Sequence, residues 1–141
     1  MEKKPSVKII IDTNWYVSAT INRQSRRILY EILTNPGLQV IYSKELLQEY
    51  LEVMRRAKFR KFVSKNQILR FINLILPKLS EVFITTTVKI SRDKDDDYLL
   101  AMAAENNVAY LITGDIDLLV LEQISNTKIL KMSEFQKIGK P

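Results

Sequence analysis

The chain holds seven aspartates, confined to three short segments: Asp12 alone, Asp93 to Asp97, and the pair Asp115 and Asp117. Each segment stands where an apolar run ends or a helical pattern begins. Asp12 closes the run Val7 to Ile11, and Asp115 follows Val108 to Ile112 through the turn Thr113-Gly114. Carboxylates in such places face the crevice outside the carboxyl ends of parallel strands, where open α/β sheets bind their ligands. Two ionised carboxylates about 5 Å apart repel by roughly 3 kcal/mol at an effective dielectric near 20. A convergent set therefore makes sense when divalent cations neutralise it. Oxygen-only ligand sets suit Mg2+ or Mn2+. Such ions activate a water and stabilise charge on a phosphodiester undergoing hydrolysis.

Composition removes most competing chemistries. The 141 residues include no His and no Cys, which excludes Ser-His-Asp and Cys-His catalysis and the ordinary zinc sites. Three glycines form neither a G-x-G-x-x-G turn nor a P-loop. Carboxylates, hydroxyls, Lys, Arg or a hard cation must do the work. An apolar share of 46% supports one packed domain across residues 1–141, with a core over about 7–135. No apolar run approaches the length of a membrane span, and the N-terminal apolar stretch meets Asp12 too soon for a signal peptide. Without cysteine the simple expectation is a reducing cytoplasm.

The net charge of +6 is unevenly spread. From Val53 to Ser80 there is no acid, while Arg55, Arg56, Lys58, Arg60, Lys61, Lys65, Arg70 and Lys78 are basic; Arg23, Arg26 and Arg27 form a smaller group. Two readings stand: a polyanion-binding surface, for which nucleic acid is the obvious partner, or a solvated helical face.

These side chains must be positioned by a regular frame. Val7–Ile11 reads as a buried strand. A helix with Ser25 as its N-cap follows and stops at Asn35-Pro36-Gly37, after which Leu38–Tyr42 is a second strand. Ser43 caps a helix to about Arg56, and Ser64 with Gln67 forms a capping box for another ending near Pro77. Glu81–Thr87 is expected as a third strand, Asp93 as the cap of a helix to Asn107, and Val108–Ile112 as a fourth strand. A short helix over Leu118–Gln123, a fifth strand at Lys128–Leu130 and a final helix capped by Ser133 and Gln136 complete the chain. Strands alternating with helices imply an α/β fold with a mainly parallel sheet.

Helix geometry then selects among the acids. At about 100° per residue, Asp96 shares a face with Leu99, Leu100 and Ala103, whereas Asp97 projects away and Asp93 serves better as a cap. On the helix after Ser43, Glu49 lies nearest the apolar arc of Leu46, Leu47, Tyr50, Leu51, Val53 and Met54, and Glu45 and Glu52 point outward. Taken alone, Glu49 is either a ligand or a solvated helix edge. Asp93, Asp95 and Asp97 imitate the start of an EF-hand, but Tyr98 and Ala104 stand where its Gly and Glu belong, so calcium is rejected. Trp15 and Tyr16 either stack on bases or pack beneath a helix.

Four segments in this order resemble the PIN domain family, in its toxin–antitoxin toxin-component (VapC-like) branch. They are Ile-Ile-Ile-Asp-Thr-Asn (9–14) with Ser18, the stretch 43–59 around Leu-Leu-Gln-Glu-Tyr-Leu, Arg92 to Ala103, and Leu-Ile-Thr-Gly-Asp-Ile-Asp-Leu-Leu (111–119). The resemblance covers about residues 7–135. It implies a three-layer α/β/α fold with a mainly parallel sheet of about five strands, and a Mg2+- or Mn2+-dependent ribonuclease site. Carried over residue by residue, the catalytic and metal-holding quartet is Asp12, Glu49, Asp96 and Asp115, with Asp117 as an auxiliary acid and Thr13, Asn14 and Thr113 as supporting polar groups. Trp15-Tyr16 departs from the small aliphatic pair usual after Asp-Thr-Asn. The resemblance also implies homodimerisation and a small antitoxin that covers the cleft.

The expected function is metal-dependent endoribonuclease action, with Arg55, Arg56, Lys58, Arg60 and Lys61 contacting the RNA. The competing reading is a non-catalytic RNA- or antitoxin-binding module. A phosphatase using Asp12 as nucleophile fits less well: Asn14 stands where a second Asp belongs, and there is no room for a cap domain.

Overall fold

The computed structural model describes residues 6–85 and 97–138. In chain order these form β1 (Val7–Ile11), α1 (Thr13–Ile21), α2 (Arg23–Leu33), β2 (Leu38–Tyr42), α3 (Lys44–Met54), α4 (Ala57–Arg60), α5 (Lys65–Ile75), a 3-10 turn (Leu76–Lys78) and β3 (Ser80–Glu81). After the undescribed stretch come α6 (Asp97–Glu105), β4 (Tyr110–Ile112), α7 (Ile116–Leu119), β5 (Gln123–Ile124), β6 (Thr127–Leu130) and α8 (Met132–Lys137).

The sheet has six strands in the order β3-β2-β1-β4-β6-β5. All neighbouring pairs are parallel except β5–β6. In the central strand Ile9, Ile10 and Ile11 are all fully buried. Successive strand residues point to opposite faces, so both faces of the sheet are covered and the fold is three layers deep. α2 packs beside β2, α7 beside β6, and α1 against α2, α3 and α5.

Local chemistry explains most of the helix starts. Ser43 accepts the Leu46 N–H at 3.3 Å and opens α3. Ser64 and Gln67 exchange both bonds of a capping box at the start of α5. Asn22, not Ser25, caps α2: its Oδ1 accepts the N–H groups of Gln24 and Ser25 at 2.8 and 3.1 Å. Asn22 wins because a whole helix, α1, precedes it. No apolar stripe announces α1, whose Thr13, Tyr16, Val17, Ala19 and Thr20 are buried on several sides.

The mainly parallel sheet is as expected, at six strands against roughly five, because Gln123–Ile124 turns back on Thr127–Leu130 as a hairpin. Some local expectations need correction. The helix expected over Leu118–Gln123 is instead a single turn at Ile116–Leu119. β3 is only two residues long; Val82 to Thr85 do not extend it, and 86–87 lie outside the described residues. The last helix starts at Met132, with Glu134 Oε1 accepting the Lys131 N–H at 3.1 Å. α6 presents no single apolar stripe: Leu99, Leu100, Ala101, Met102 and Ala103 are all buried. Five consecutive buried residues set most of α6 into the core, while Ala104 is exposed and Glu105 half-buried at its end.

Candidate active site at the strand ends

β1 and β4 lie side by side, with Ile11 in register with Ile112. The residues that follow each strand are therefore neighbours at the carboxyl edge. The Asp12 N–H donates to the Ile112 carbonyl at 2.9 Å, and the Thr113 N–H donates to the Leu130 carbonyl at 3.0 Å. The ladder thus continues one step past both strands and holds the backbones of Asp12 and Thr113 rigidly.

Thr113, fully buried, is the link between two acids. Its Oγ1 donates to Asp12 Oδ2 at 2.6 Å and accepts the Asp115 N–H at 3.0 Å. Asp115 Oδ1 in turn accepts the Asp117 N–H at 2.9 Å and caps α7. Asp12 behaves differently. It occupies the N-cap position of α1 yet makes no side-chain capping bond. Its carboxylate reaches across to Thr113, while the amides of Thr13 and Asn14 at the start of α1 also act on it.

Only 4% of Asp12 is exposed. Burial pushes its carboxyl above the usual aspartate range, and the negative Asp115 nearby adds to that; the Thr113 hydroxyl and the amides of Thr13 and Asn14 pull the other way. Hydroxyl and amide hydrogens surround this carboxylate, while among the described residues the charge acting on it is of its own sign. An oxygen-only donor set that raises its own electrostatic cost is the chemistry a hard divalent cation relieves. Among the described residues no three acidic side chains form a metal-holding group. Asp96, with Asp93 and Asp95, lies outside the described residues.

Glu49 reaches the site by a second route. It is half-buried on α3, whereas Glu45 and Glu52 are exposed. Its Oε2 accepts the Tyr98 hydroxyl at 2.5 Å, and Tyr98 Oη lies 3.2 Å from Thr13 Oγ1. Thr13 is fully buried and adjoins Asp12. Burial first, then the Glu49 bond, pushes the Tyr98 phenol far above its ordinary range and keeps it a neutral donor. Sequence reasoning missed Tyr98. Its partners lie 49 and 85 positions away, and no local pattern distinguishes it from any tyrosine on an amphipathic helix.

The remaining expected site residues are placed as follows. Asn14 is exposed at the first turn of α1, and Asp117 is half-buried at the first turn of α7. Trp15 is half-buried against the core, and Tyr16 is buried within it. Arg55, Arg56, Lys58, Arg60 and Lys61 are all exposed around α4. Of these, Arg56 lines a cleft of about 340 Å³ together with Glu49, Tyr98, Glu45 and Glu52. Arg56 of the basic surface and Glu49 therefore share one cleft. Arg26, from the smaller basic group, donates Nε to the Ala19 carbonyl at 2.9 Å and tethers the end of α1. Among the described residues no helix is long and apolar enough to cross a membrane.

A mainly parallel sheet covered on both faces, with aspartates following its two central strands, defines an α/β protein. The chain belongs to the PIN domain family, whose model matches residues 8–117; members of this family are generally nucleases. An uncharacterized protein of Methanocaldococcus jannaschii is 30% identical over 138 residues, covering 94% of this chain and 86% of that protein. A chain in the crystal structure of VapBC2 from Rickettsia felis, bound to a DNA fragment from their promoter, aligns with a TM-score of 0.58 and 17% identity. That alignment covers 87% of this chain and 97% of the other, and the likeness is one of fold.

Proposed function

We propose that this chain is a Mg2+- or Mn2+-dependent endoribonuclease, the toxin component of a toxin–antitoxin pair acting in the cytoplasm. The observation that carries the reading is the Asp12 carboxylate, buried and bonded to the Thr113 hydroxyl that also accepts the Asp115 N–H. Among the described residues the charge acting on it is that of Asp115, of like sign, and a buried carboxylate so placed is costly as structure and useful as a ligand.

In this reading Asp12, Asp96 and Asp115 hold the metal, Glu49 is a further ligand or orients the attacking water, and Asp117 is auxiliary. The bound ion would supply Lewis-acid stabilisation of the phosphodiester and a water of lowered pKa. Thr113 fixes the direction of Asp12, Thr13 steadies Tyr98 behind Glu49, and Asn14 faces solvent at the mouth. The RNA backbone lies along Arg55, Arg56, Lys58, Arg60 and Lys61, with Arg56 in the same cleft as Glu49. The sequence resemblance to the VapC-like branch and the fold shared with a VapBC2 chain support a small antitoxin partner and a homodimer as further parts of the proposal.

The test is cleavage of a mixed RNA pool by the purified chain with Mn2+, Mg2+ or EDTA. Cleavage with either metal that stops in EDTA is expected. Salt-sensitive RNA binding without metal-dependent cleavage would instead establish a non-catalytic binding module.

A further inference from the structure

Three side chains from three elements meet behind the proposed site: Thr13 at the start of α1, Glu49 on α3 and Tyr98 on α6. Hydrogen-bond polarity follows from their chemistry. A carboxylate only accepts, so the single Tyr98 proton goes to Glu49 Oε2. Tyr98 Oη must then accept at its other contact, which makes Thr13 Oγ1 the donor there. The chain of donation runs from Thr13 through Tyr98 to Glu49.

This arrangement is stiff at each step. Thr13 is fully buried and β-branched, with restricted χ1. The Tyr98 ring has two torsions and packs against the core. Glu49, by contrast, stands on the half-buried edge of its helix with a long, rotamer-rich side chain. A stiff donor restricts where such a carboxylate sits, as outer partners of metal-site residues commonly do.

We propose that Tyr98 is a positioning residue, whose hydroxyl anchors the Glu49 carboxylate to Thr13 and so to the neighbourhood of Asp12. The inference rests on reading Glu49 as part of the metal-dependent site. The rival role is a plain staple between α3 and α6, which would affect stability and nothing else.

A double-mutant cycle separates the two. Wild type, Tyr98→Phe, Glu49→Gln and the double variant are compared by kcat and KM on a short RNA, and by the Mn2+ concentration that half-saturates the rise in melting temperature. Tyr98→Phe is expected to lower kcat by roughly 10- to 100-fold, leave KM within about twofold, and raise the half-saturating Mn2+ concentration by about tenfold. The double variant is expected to be no worse than Glu49→Gln alone. Thr13→Val, which keeps shape and removes the outer donor, should move the same readouts in the same direction by less, and serves if Tyr98→Phe folds poorly. A Tyr98→Phe protein that melts lower but keeps wild-type kcat and Mn2+ response overturns the proposal, as do losses that multiply in the double variant. If wild type binds Mn2+ and the cycle is non-additive in the half-saturating Mn2+ concentration but RNA is not cleaved, the positioning role stands and the ribonuclease reading falls. If RNA is cleaved and the losses multiply, only the positioning role falls. A wild type that shows no Mn2+ response overturns both.

Discussion

Asp12 and Thr113 stand 101 positions apart and share a 2.6 Å hydrogen bond where β1 and β4 end. The bond crosses between adjacent parallel strands. It exists because register places Ile11 opposite Ile112, so the first residue beyond each strand has the other as its neighbour. This bond aims the buried Asp12 carboxylate across the sheet edge.

Replacing Thr113 by Val keeps the β-branched shape and removes the hydroxyl that serves both Asp12 and the Asp115 N–H. Leaving buried groups without that partner costs about 1–3 kcal/mol. Chemical denaturation should show a lower midpoint with unchanged slope, and metal-dependent cleavage should fall by roughly 10- to 100-fold. Thr113→Ser should recover most of both. A Val variant with wild-type activity would remove Thr113 from the site.

The buried charge of Asp12 has a stability signature with a definite sign. Its folded carboxyl titrates above its unfolded value, chiefly because burial disfavours the anion. The folded state therefore holds the proton over a window where the unfolded state has lost it. Stability falls as pH rises through that window, and the deficit persists at neutral pH. Without metal, Asp12→Asn should melt above wild type at pH 7, by about 2–4 °C for each kcal/mol relieved. The gap should close as pH drops below the ordinary aspartate value of 3.8. Equal melting at pH 7 in EDTA would show that Asp12 carries no such burden.

Much of this frame is legible in the residues themselves. Val7–Ile11 reads as a buried strand because its run is continuous, and Ser43 and Ser64 announce α3 and α5 because capping is a local bond. Glu49 is distinguishable from Glu45 and Glu52 because an amphipathic helix has a definite edge. What fails is what depends on tertiary surroundings. α1 and α6 are buried on several sides, so their apolar residues follow no stripe. The β5–β6 hairpin turns at Ser125-Asn126, with Ser125 at φ 49°, instead of through an Asn-Gly pair. Tyr98 is invisible for a related reason: it matters only through Thr13 and Glu49, which the fold brings to it.

The basic residues make a separable prediction. Exchanging Arg55, Arg56, Lys58, Arg60 and Lys61 for Gln should weaken RNA binding and flatten its salt dependence, by about 0.7 in log–log slope for each phosphate no longer neutralised. The kcat at saturating RNA should hold. Arg56→Gln alone, at the rim of the cleft, should raise KM by about tenfold, equivalent to ~1.4 kcal/mol. An unchanged salt slope would assign the cluster to solvation instead.

The most direct test of the metal-dependent acidic site is RNA cleavage by Asp12→Asn in saturating Mn2+, assayed beside wild type and beside the variant's own melting curve. Asn keeps the acceptor for Thr113 and removes the charge. The predicted result is a folded protein, at least as thermostable as wild type in EDTA, with no Mn2+-dependent cleavage. A folded Asp12→Asn protein that cleaves RNA at the wild-type rate would contradict the assignment.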